Sequence, residues 1–353
     1  MISLQENISL SNYTTIRTGG PARWFITCKT EASILEALAY ASSNKLKVLT
    51  LGAGSNLLVS DQGFDGLVIQ VALDHISFKD SGLVVAGGGV NWDHFVKATC
   101  LHGLTGIESM SGIPGNVGAT PVQNVGAYGQ EVCETIVQVN AINIKDFSKR
   151  IFSAKECAFA YRNSRFKTSD KDLWLITEVT FQLNESSLPN PQYDELLKSL
   201  ASDPLWSTGD RFQKIMTLRE HVLKIRSSKG MVLNHSDSDT YSLGSFFMNP
   251  IVSTSEKVRI FQLAADKGLP RQPTAHSAGD NLWKLSAAWL IENSGIKKGD
   301  MIQSARVSTK HVLALTNPSN ACTSDILALA AHIKKSVHNM FAVELIQEPV
   351  FVD

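Results

Sequence analysis

Glu108–Glu131 reads ESMSGIPGNVGATPVQNVGAYGQE and carries charge only at its two ends. Gly112, Gly115, Gly118, Gly126 and Gly129 punctuate it, with Pro114 and Pro121 between them. Glycine and proline interrupt helices and central strands alike, so neither is expected here. The segment is also too long and too apolar for an ordinary connector. Backbone without Cβ atoms comes close to a flat or phosphorylated ligand, and its N–H groups donate without any lysine. Two readings follow: a loop wrapped around a cofactor, or a buried Ω-like loop with only a structural role.

Upstream, LKVLTLGAGSNLLVS reads as a buried strand running into a turn at Gly52, Ala53, Gly54, Ser55 and Asn56. Such a turn can bind a pyrophosphate through its N–H groups and the Ser55 and Asn56 side chains, or it can simply be tight. LLVSDQGFDG continues as a strand and another turn, not as the helix that a GxGxxG fingerprint opens, which disfavours a Rossmann fold. YTTIRTGGPARWFI reads as two β-prone segments about a Gly-Gly turn, and EASILEALAYAS as a helix with Ile34, Leu35 and Leu38 on one face. GLVIQV and LVVAGGGV are further strands, and NWDHFVKATCLHG a helix capped by Asn91. Beyond the loop, IVQVNAINI and LWLITEVTFQLN are strand-like, with a short helix expected from Ser153 in SAKECAFAYRNSRFK. Alternating strands and helices indicate α/β or α+β architecture.

From Asn184 the polar, proline-bearing ESSLPNPQYDE marks an excursion. The helix DRFQKIMTLREHVLKIRSSKG, with Ile215, Leu218, Val222 and Ile225 at helical spacing, is expected to lead into a second domain. That domain opens with SLGSFFMNPIVS, where Ser245 lies in no GxSxG elbow. Helices are expected over SEKVRIFQLAADKG, NLWKLSAAWLIENSG and TSDILALAAHIKKSVHNMF, with a strand at VLALTN. The ending AVELIQEPVFVD reads as a strand placing Glu348 on one face with Ile346, Val350 and Val352. A carboxylate there is paired, protonated or functional, or it reaches solvent from an edge strand.

Composition excludes several classes. The 353 residues are 43% hydrophobic and 19% charged, ordinary for a globular enzyme. Lys+Arg and Asp+Glu both number 33, so no net field favours nucleic acid or an anionic membrane. No apolar run approaches the ~20 residues of a membrane span, and MISLQENISL lacks a secretory pattern. A cytoplasmic protein is expected. Five scattered cysteines without CxxC, and nine histidines without ligand spacing, give reduced thiols and no metal site.

TTIRTGG (Thr14–Gly20), LGAGSNLL (Leu51–Leu58), SGIPGNVGATPVQNVGAYGQE (Ser111–Glu131), YRNSRFK from Tyr161, GSFFMNP (Gly244–Pro250) and the terminal LIQEPV occur in an order that closely resembles one family. It is the UDP-N-acetylenolpyruvoylglucosamine reductases (MurB), flavoenzymes of peptidoglycan synthesis, in their long-loop subtype. The resemblance runs from near the first residue to the last. It implies an α+β fold: a vanillyl-alcohol-oxidase-type FAD region of two subdomains over 1–183, a connecting excursion over 184–218 and a UDP-sugar domain over 219–353.

By resemblance, non-covalent FAD would lie against Gly52, Gly54, Ser55 and Asn56 and against Gly112, Ile113, Pro114, Gly115, Gly118, Ala119, Gln123, Asn124, Gly126, Ala127 and Tyr128. Tyr193, Lys229, Asn249 and Arg226 would face the substrate. NADPH would reduce the flavin, and hydride would pass to C3 of UDP-N-acetylglucosamine enolpyruvate. Arg162 and Glu348 would stabilise the enolate-like charge, and Ser245 would protonate C2. A small-molecule substrate and a monomer are expected, with no nucleic-acid or membrane partner. The family often has a lysine where this chain has Met248 and a carboxylate where it has Ile346, which bears on substrate affinity. The rival reading is a related FAD-dependent sugar or hydroxy-acid oxidase, although the central loop lacks the histidine that often carries covalent flavin there.

Overall fold

The computed structural model describes residues 3–270 and 273–353. It divides into two compact units: residues 3–9, 21–54 and 64–233 form the first, and 10–20, 55–63 and 234–353 the second. The 183 and 219 boundaries expected from the sequence therefore fall inside the first unit.

In chain order the elements begin with β1 (Gln5–Ser9), β2 (Pro21–Cys28), α1 (Glu31–Ser43), β3 (Lys47–Leu51), β4 (Leu57–Val59) and β5 (Phe64–Val71). A four-stranded sheet runs β1-β2-β5-β3, with β5 parallel to both β2 and β3. Its apolar face packs on α1, which buries Ile34, Ala37, Leu38 and Ala41 and starts at a capping box on Thr30. β3 is less buried than its sequence suggests, with only Leu51 inside.

β6 (Ile76–Phe78), β7 (Leu83–Gly87) and α2 (Trp92–Leu101) precede the central loop, which contains only the two-residue pair β8 (Gly126–Ala127) and β9 (Gln130–Glu131) and short 3-10 turns. β10 (Ile136–Asn143), β11 (Lys149–Ser153) and β12 (Trp174–Gln182) complete an antiparallel sheet ordered β11-β10-β12-β7-β6. β12 is central, and all but Trp174, Glu178 and Gln182 of its residues are buried, Thr177 and Thr180 among them.

No helix starts at Ser153. Ser153 instead ends β11, and Glu156 accepts from its N–H and its hydroxyl at 2.9 and 2.8 Å. This capping-box chemistry closes one turn, which Ala158 ends at φ +48°.

α3 (Asp194–Leu200) and α4 (Pro204–Thr208) occupy the excursion that the sequence left irregular, followed by α5 (Arg211–Ser228). Leu196 and Leu200 of α3 bury against Leu218, Val222 and Ile225 of α5. The helix expected to lead into a second domain thus packs within the first unit.

In the second unit come β13 (Ile251–Ser253), α6 (Thr254–Asp266), β14 (Ala275–Gly279), β15 (Leu282–Leu285) and α7 (Ala287–Glu292): α6 is the first of the two expected helices, and β15 with α7 takes the place of the second. Asn281, at φ +58°, turns the chain from β14 into β15, and Ser286 caps α7, so NLWKLSAAWLIENSG is strand and then helix. β16 (Met301–Ile302), β17 (Ala305–Val307) and β18 (Leu315–Thr316) form a small sheet, VLALTN giving only two strand residues. α8 (Thr323–Phe341) buries Ile326, Leu329, Ile333 and Val337. β19 (Val350–Val352) pairs in parallel with β4.

Two expectations fail here. Residues 14–18 form no strand: Thr15 Oγ1 donates to the Ser242 carbonyl at 2.6 Å, and Arg17 takes φ +59°. The final strand starts only after Pro349, and Ile346 is 62% exposed, so Glu348 does not share an apolar face with it.

Candidate active site

The turn after β3 and the central loop meet within the first unit. A Cβ on Gly52 would lie 3.6 Å from Asn116 Cβ. Gly54, at φ +61°, turns the chain there. Among the described residues no protein acceptor takes the N–H groups of Ala53, Gly54, Ile113, Gly115 or Asn116. Adjacent amides without a protein acceptor suit an anionic group. This fits the diphosphate of FAD. Asn56 has a different use, since its Nδ2 donates to the Glu348 carbonyl at 3.4 Å within the second unit, to which Ser55 also belongs.

The loop is fixed from several sides. Trp92 N–H donates to the Gly115 carbonyl at 2.9 Å and its indole to the Met110 carbonyl at 3.0 Å. Gly118 N–H donates to the Gly88 carbonyl, and a Cβ at Gly118 would come 2.9 Å from Gly88 Cα. Gly118→Val is therefore expected to displace the loop and weaken flavin retention at least tenfold, roughly the ~1.4 kcal/mol of a modest clash. Flavin absorbance of the purified variant after dialysis measures this, and full retention would contradict it.

Not every loop residue is available to a ligand. Asn124 is buried, with Nδ2 donating to Glu131 Oε2 at 2.8 Å and to the Ala160 carbonyl at 3.2 Å, and Oδ1 accepting from Cys133 N–H. Its side chain holds the loop and is not open to cofactor. Ala119 is exposed, whereas Ile113, Pro114, Gln123, Gly126, Ala127 and Tyr128 are half-buried.

Arg162 sits at the tip of a tight hairpin closed by mutual Ala160–Asn163 backbone bonds. Its φ of +51° is one that turn chemistry normally gives to glycine or asparagine. Nη2 donates to the Gly126 carbonyl at 2.8 Å and Nη1 to the Asn124 carbonyl at 3.4 Å. An arginine with this backbone conformation is locally strained, and its bonds to the loop's carbonyls hold it there.

Tyr128, Tyr193, Lys229 and Arg226 gather within the first unit, although the last two were expected in a substrate domain beginning at 219. The tyrosine rings meet edge-on at 5.4 Å, and Lys229 Nζ lies 6.0 Å from the Tyr128 ring while pairing with Glu195. Burial pushes the Tyr128 hydroxyl up to about 12, the nearby Arg226 acting against it. Arg226 donates through Nη2 to the Met231 carbonyl, but its Nε is buried without a partner. Burial lowers its pKa, opposed by Tyr128 and Asp93.

Sequence reading missed Asp93 and Arg219. Arg219 is 5% exposed and binds both Asp93 oxygens at 2.7 and 2.8 Å, while Asp93 also accepts the Gly112 N–H at 2.6 Å. Burial alone would raise the Asp93 pKa; the Arg219 and Gly112 bonds outweigh it and hold the carboxyl below its usual range. An aspartate two residues after the N-cap Asn91 reads from sequence as ordinary helix-dipole chemistry, which hid it.

In the second unit, Phe247 and Gln347 form an antiparallel bridge. Glu348 N–H donates to the Phe246 carbonyl and Met248 N–H to the Ile346 carbonyl, both at 2.9 Å. Buried Phe246 and Phe247 anchor this bridge. It sets Glu348 across from Phe246, the residue that follows Ser245 in the chain, and among the described residues no protein group hydrogen-bonds to the Ser245 hydroxyl. Gly244, at φ +70° with open space where a Cβ would stand, turns the chain into Ser245. The two departures from the family pattern are also neighbours, Met248 and Ile346 sharing that backbone bond. Asn249 Oδ1 accepts from the Ala287 N–H at the start of α7, so this oxygen is committed to the helix.

Burial pushes the Cys100 and Cys157 thiols up to about 12, so they are inert packing groups. All five cysteines are free. Among the described residues no cluster can hold a metal ion, and no helix is long and apolar enough to cross a membrane.

Comparison with known proteins adds the following. Residues 22–146 match the family model described as FAD binding domain, and residues 236–352 match UDP-N-acetylenolpyruvoylglucosamine reductase, C-terminal domain. The reductase of that name from Thermobifida fusca is 42% identical, covering 99% of this chain and 98% of its own. The one from Streptomyces avermitilis is also 42% identical, over 100% and 96%. The crystal structure of the Thermus caldophilus enzyme shares the fold with a TM-score of 0.69 at 22% identity, both chains being fully covered. With an FAD-binding region ahead of the reductase-specific C-terminal domain, and such similarity along its whole length, the chain belongs to the UDP-N-acetylenolpyruvoylglucosamine reductase family.

Proposed function

We propose that this chain reduces UDP-N-acetylglucosamine enolpyruvate to UDP-N-acetylmuramate for peptidoglycan synthesis, as an FAD enzyme that takes its electrons from NADPH. The observation that carries the reading is the Phe247–Gln347 bridge, which joins the segment of Ser245, whose hydroxyl is uncommitted, to the segment of Glu348 from a distant part of the chain.

When bound, FAD would supply the hydride chemistry of the reaction. The free amides of Ala53, Gly54, Ile113, Gly115 and Asn116 would hold the cofactor's diphosphate, and residues of the central loop would line the rest. Glu348 and Arg162 stabilise negative charge as it develops toward the substrate carboxylate. Ser245 holds the proton that C2 receives. Tyr193, Lys229 and Arg226 contact the nucleotide portion, and the buried, unpartnered Arg226 Nε is a donor suited to an anion. We also propose that the second unit carries the substrate domain, and that the protein works as a cytoplasmic monomer.

The test is anaerobic absorbance at the flavin band. NADPH is expected to bleach it, and the enolpyruvyl sugar nucleotide then to restore it. Recovery with oxygen alone would favour the oxidase reading, and a protein that cannot be reconstituted with FAD would overturn the cofactor assignment.

A further inference from the structure

Outside the groups assigned above, the first unit contains a serine, a histidine and an aspartate in series. Ser199 Oγ lies 2.7 Å from His221 Nδ1, and His221 Nε2 lies 3.0 Å from Asp203 Oδ2. The Asp203 carboxylate accepts a hydrogen bond from Nε2–H, which leaves Nδ1 as the acceptor for the serine hydroxyl. The His221 bond holds Asp203 below the usual carboxylate range. These residue types recur in hydrolases, but there the serine stands on an exposed, strained elbow. Ser199 lies inside helix α3 and is half-buried.

The position of the series says more than its composition. Ser199 is in the last turn of α3, Asp203 caps α4 through the Leu205 N–H, and His221 comes from the middle of α5. One imidazole therefore ties two short helices to a long one. The opposite end of α3 carries Tyr193 as its N-cap residue, about 9 Å away at helical rise. The Tyr193 carbonyl accepts the first helical bond from Leu197 N–H, so the tyrosine backbone moves with the helix. Tyr193 is 49% exposed, and its ring meets Tyr128 edge-on. A seven-residue helix is marginal by itself and depends on its tertiary anchors. Those anchors are Leu196 and Leu200, the Glu195–Lys229 pair and the histidine.

We infer that His221, bridging Ser199 and Asp203, is a positioning residue that fixes α3 on α5 and thereby holds Tyr193 ready for the sugar nucleotide. The inference rests on the reading of Tyr193 as a substrate contact. Binding of the nucleotide then meets a tyrosine already ordered, and loss of the latch makes binding bear the ordering.

Steady-state and stopped-flow kinetics of the FAD-loaded protein test it. His221→Ala is expected to raise KM for the sugar nucleotide about fivefold, one hydrogen bond's worth, while NADPH reduces the flavin at the wild-type rate. Tyr193→Ala is expected to raise KM further, and the double variant to be no worse than Tyr193→Ala, because the latch acts only through that ring. Ser199→Ala and Asp203→Asn each remove one bond without a large cavity, and intermediate increases are expected should His221→Ala fold poorly. An effect of Tyr193→Ala without one from His221, Ser199 or Asp203 would overturn the latch alone, as would additivity in the double variant. No effect from Tyr193→Ala would overturn the substrate reading of Tyr193, and the latch with it.

Discussion

Ser245→Ala is expected to slow reduction of the enolpyruvyl sugar by about 10²–10⁴-fold, the usual contribution of a placed general acid. The flavin should stay bound, and NADPH should still bleach it. The Ser245 hydroxyl has no hydrogen-bond partner among the described residues, so its proton is not committed to holding the fold. The bridge through Phe247 keeps the backbone of Ser245 and Glu348 in register whether or not the hydroxyl is present. Removing one oxygen should therefore leave the structure intact and remove only the proton source. Glu348→Gln keeps the shape and the N–H bond to Phe246 but removes the charge or proton, and a loss of about 10²–10³-fold is expected. Single-turnover stopped flow separates the two half-reactions. Wild-type reoxidation of the reduced flavin by the sugar nucleotide in either variant would remove that residue from the mechanism.

Asp93→Ala is expected to be the most damaging change to stability in the first unit. It leaves the buried Arg219 guanidinium without its bidentate partner and the Gly112 N–H without its acceptor. Breaking a buried pair from one side costs about 3–5 kcal/mol, and because Asp93 is itself about a third exposed, roughly 2–4 kcal/mol is the fitting range. Flavin retention should fall as well, since Gly112 opens the central loop. Urea denaturation of the FAD-loaded variant measures the first effect, and a midpoint equal to wild type would show the pair to be dispensable. The same pair gives stability a pH dependence of defined sign. The folded pKa of Asp93 lies below its unfolded value, so the stabilisation is complete above about pH 3.9 and is lost as pH falls through the folded pKa. Asp93→Asn should flatten that acid limb of the stability curve.

The sequence by itself was enough for the central loop, the helices α1, α2, α5, α6 and α8, the central strands and the family. The elements depend on periodicity, capping and glycine placement, which act within a few residues of the chain. The family rests on the order of several motifs, and Ser245, Glu348 and Arg162 are catalytic candidates only through that resemblance.

What it could not decide was whatever depends on a partner far along the chain. Ser153 reads as a helix N-cap in sequence, yet pairing with β10 makes it the last residue of β11, and its bonds to Glu156 close only a single turn. Leu282–Leu285 carries helix-compatible residues but is held as a strand between β13 and β14. Asn124 and Asn56 look equally suited to a cofactor, and only the folded chain commits the first to Glu131 and the second to the Glu348 carbonyl. The Asp93–Arg219 pair and the Ser199–His221–Asp203 series join residues on separate helices. Local sequence sets each residue's backbone preference, whereas a buried hydrogen bond or ion pair gains its value from desolvation by the whole fold, and that is why only the tertiary structure decided them.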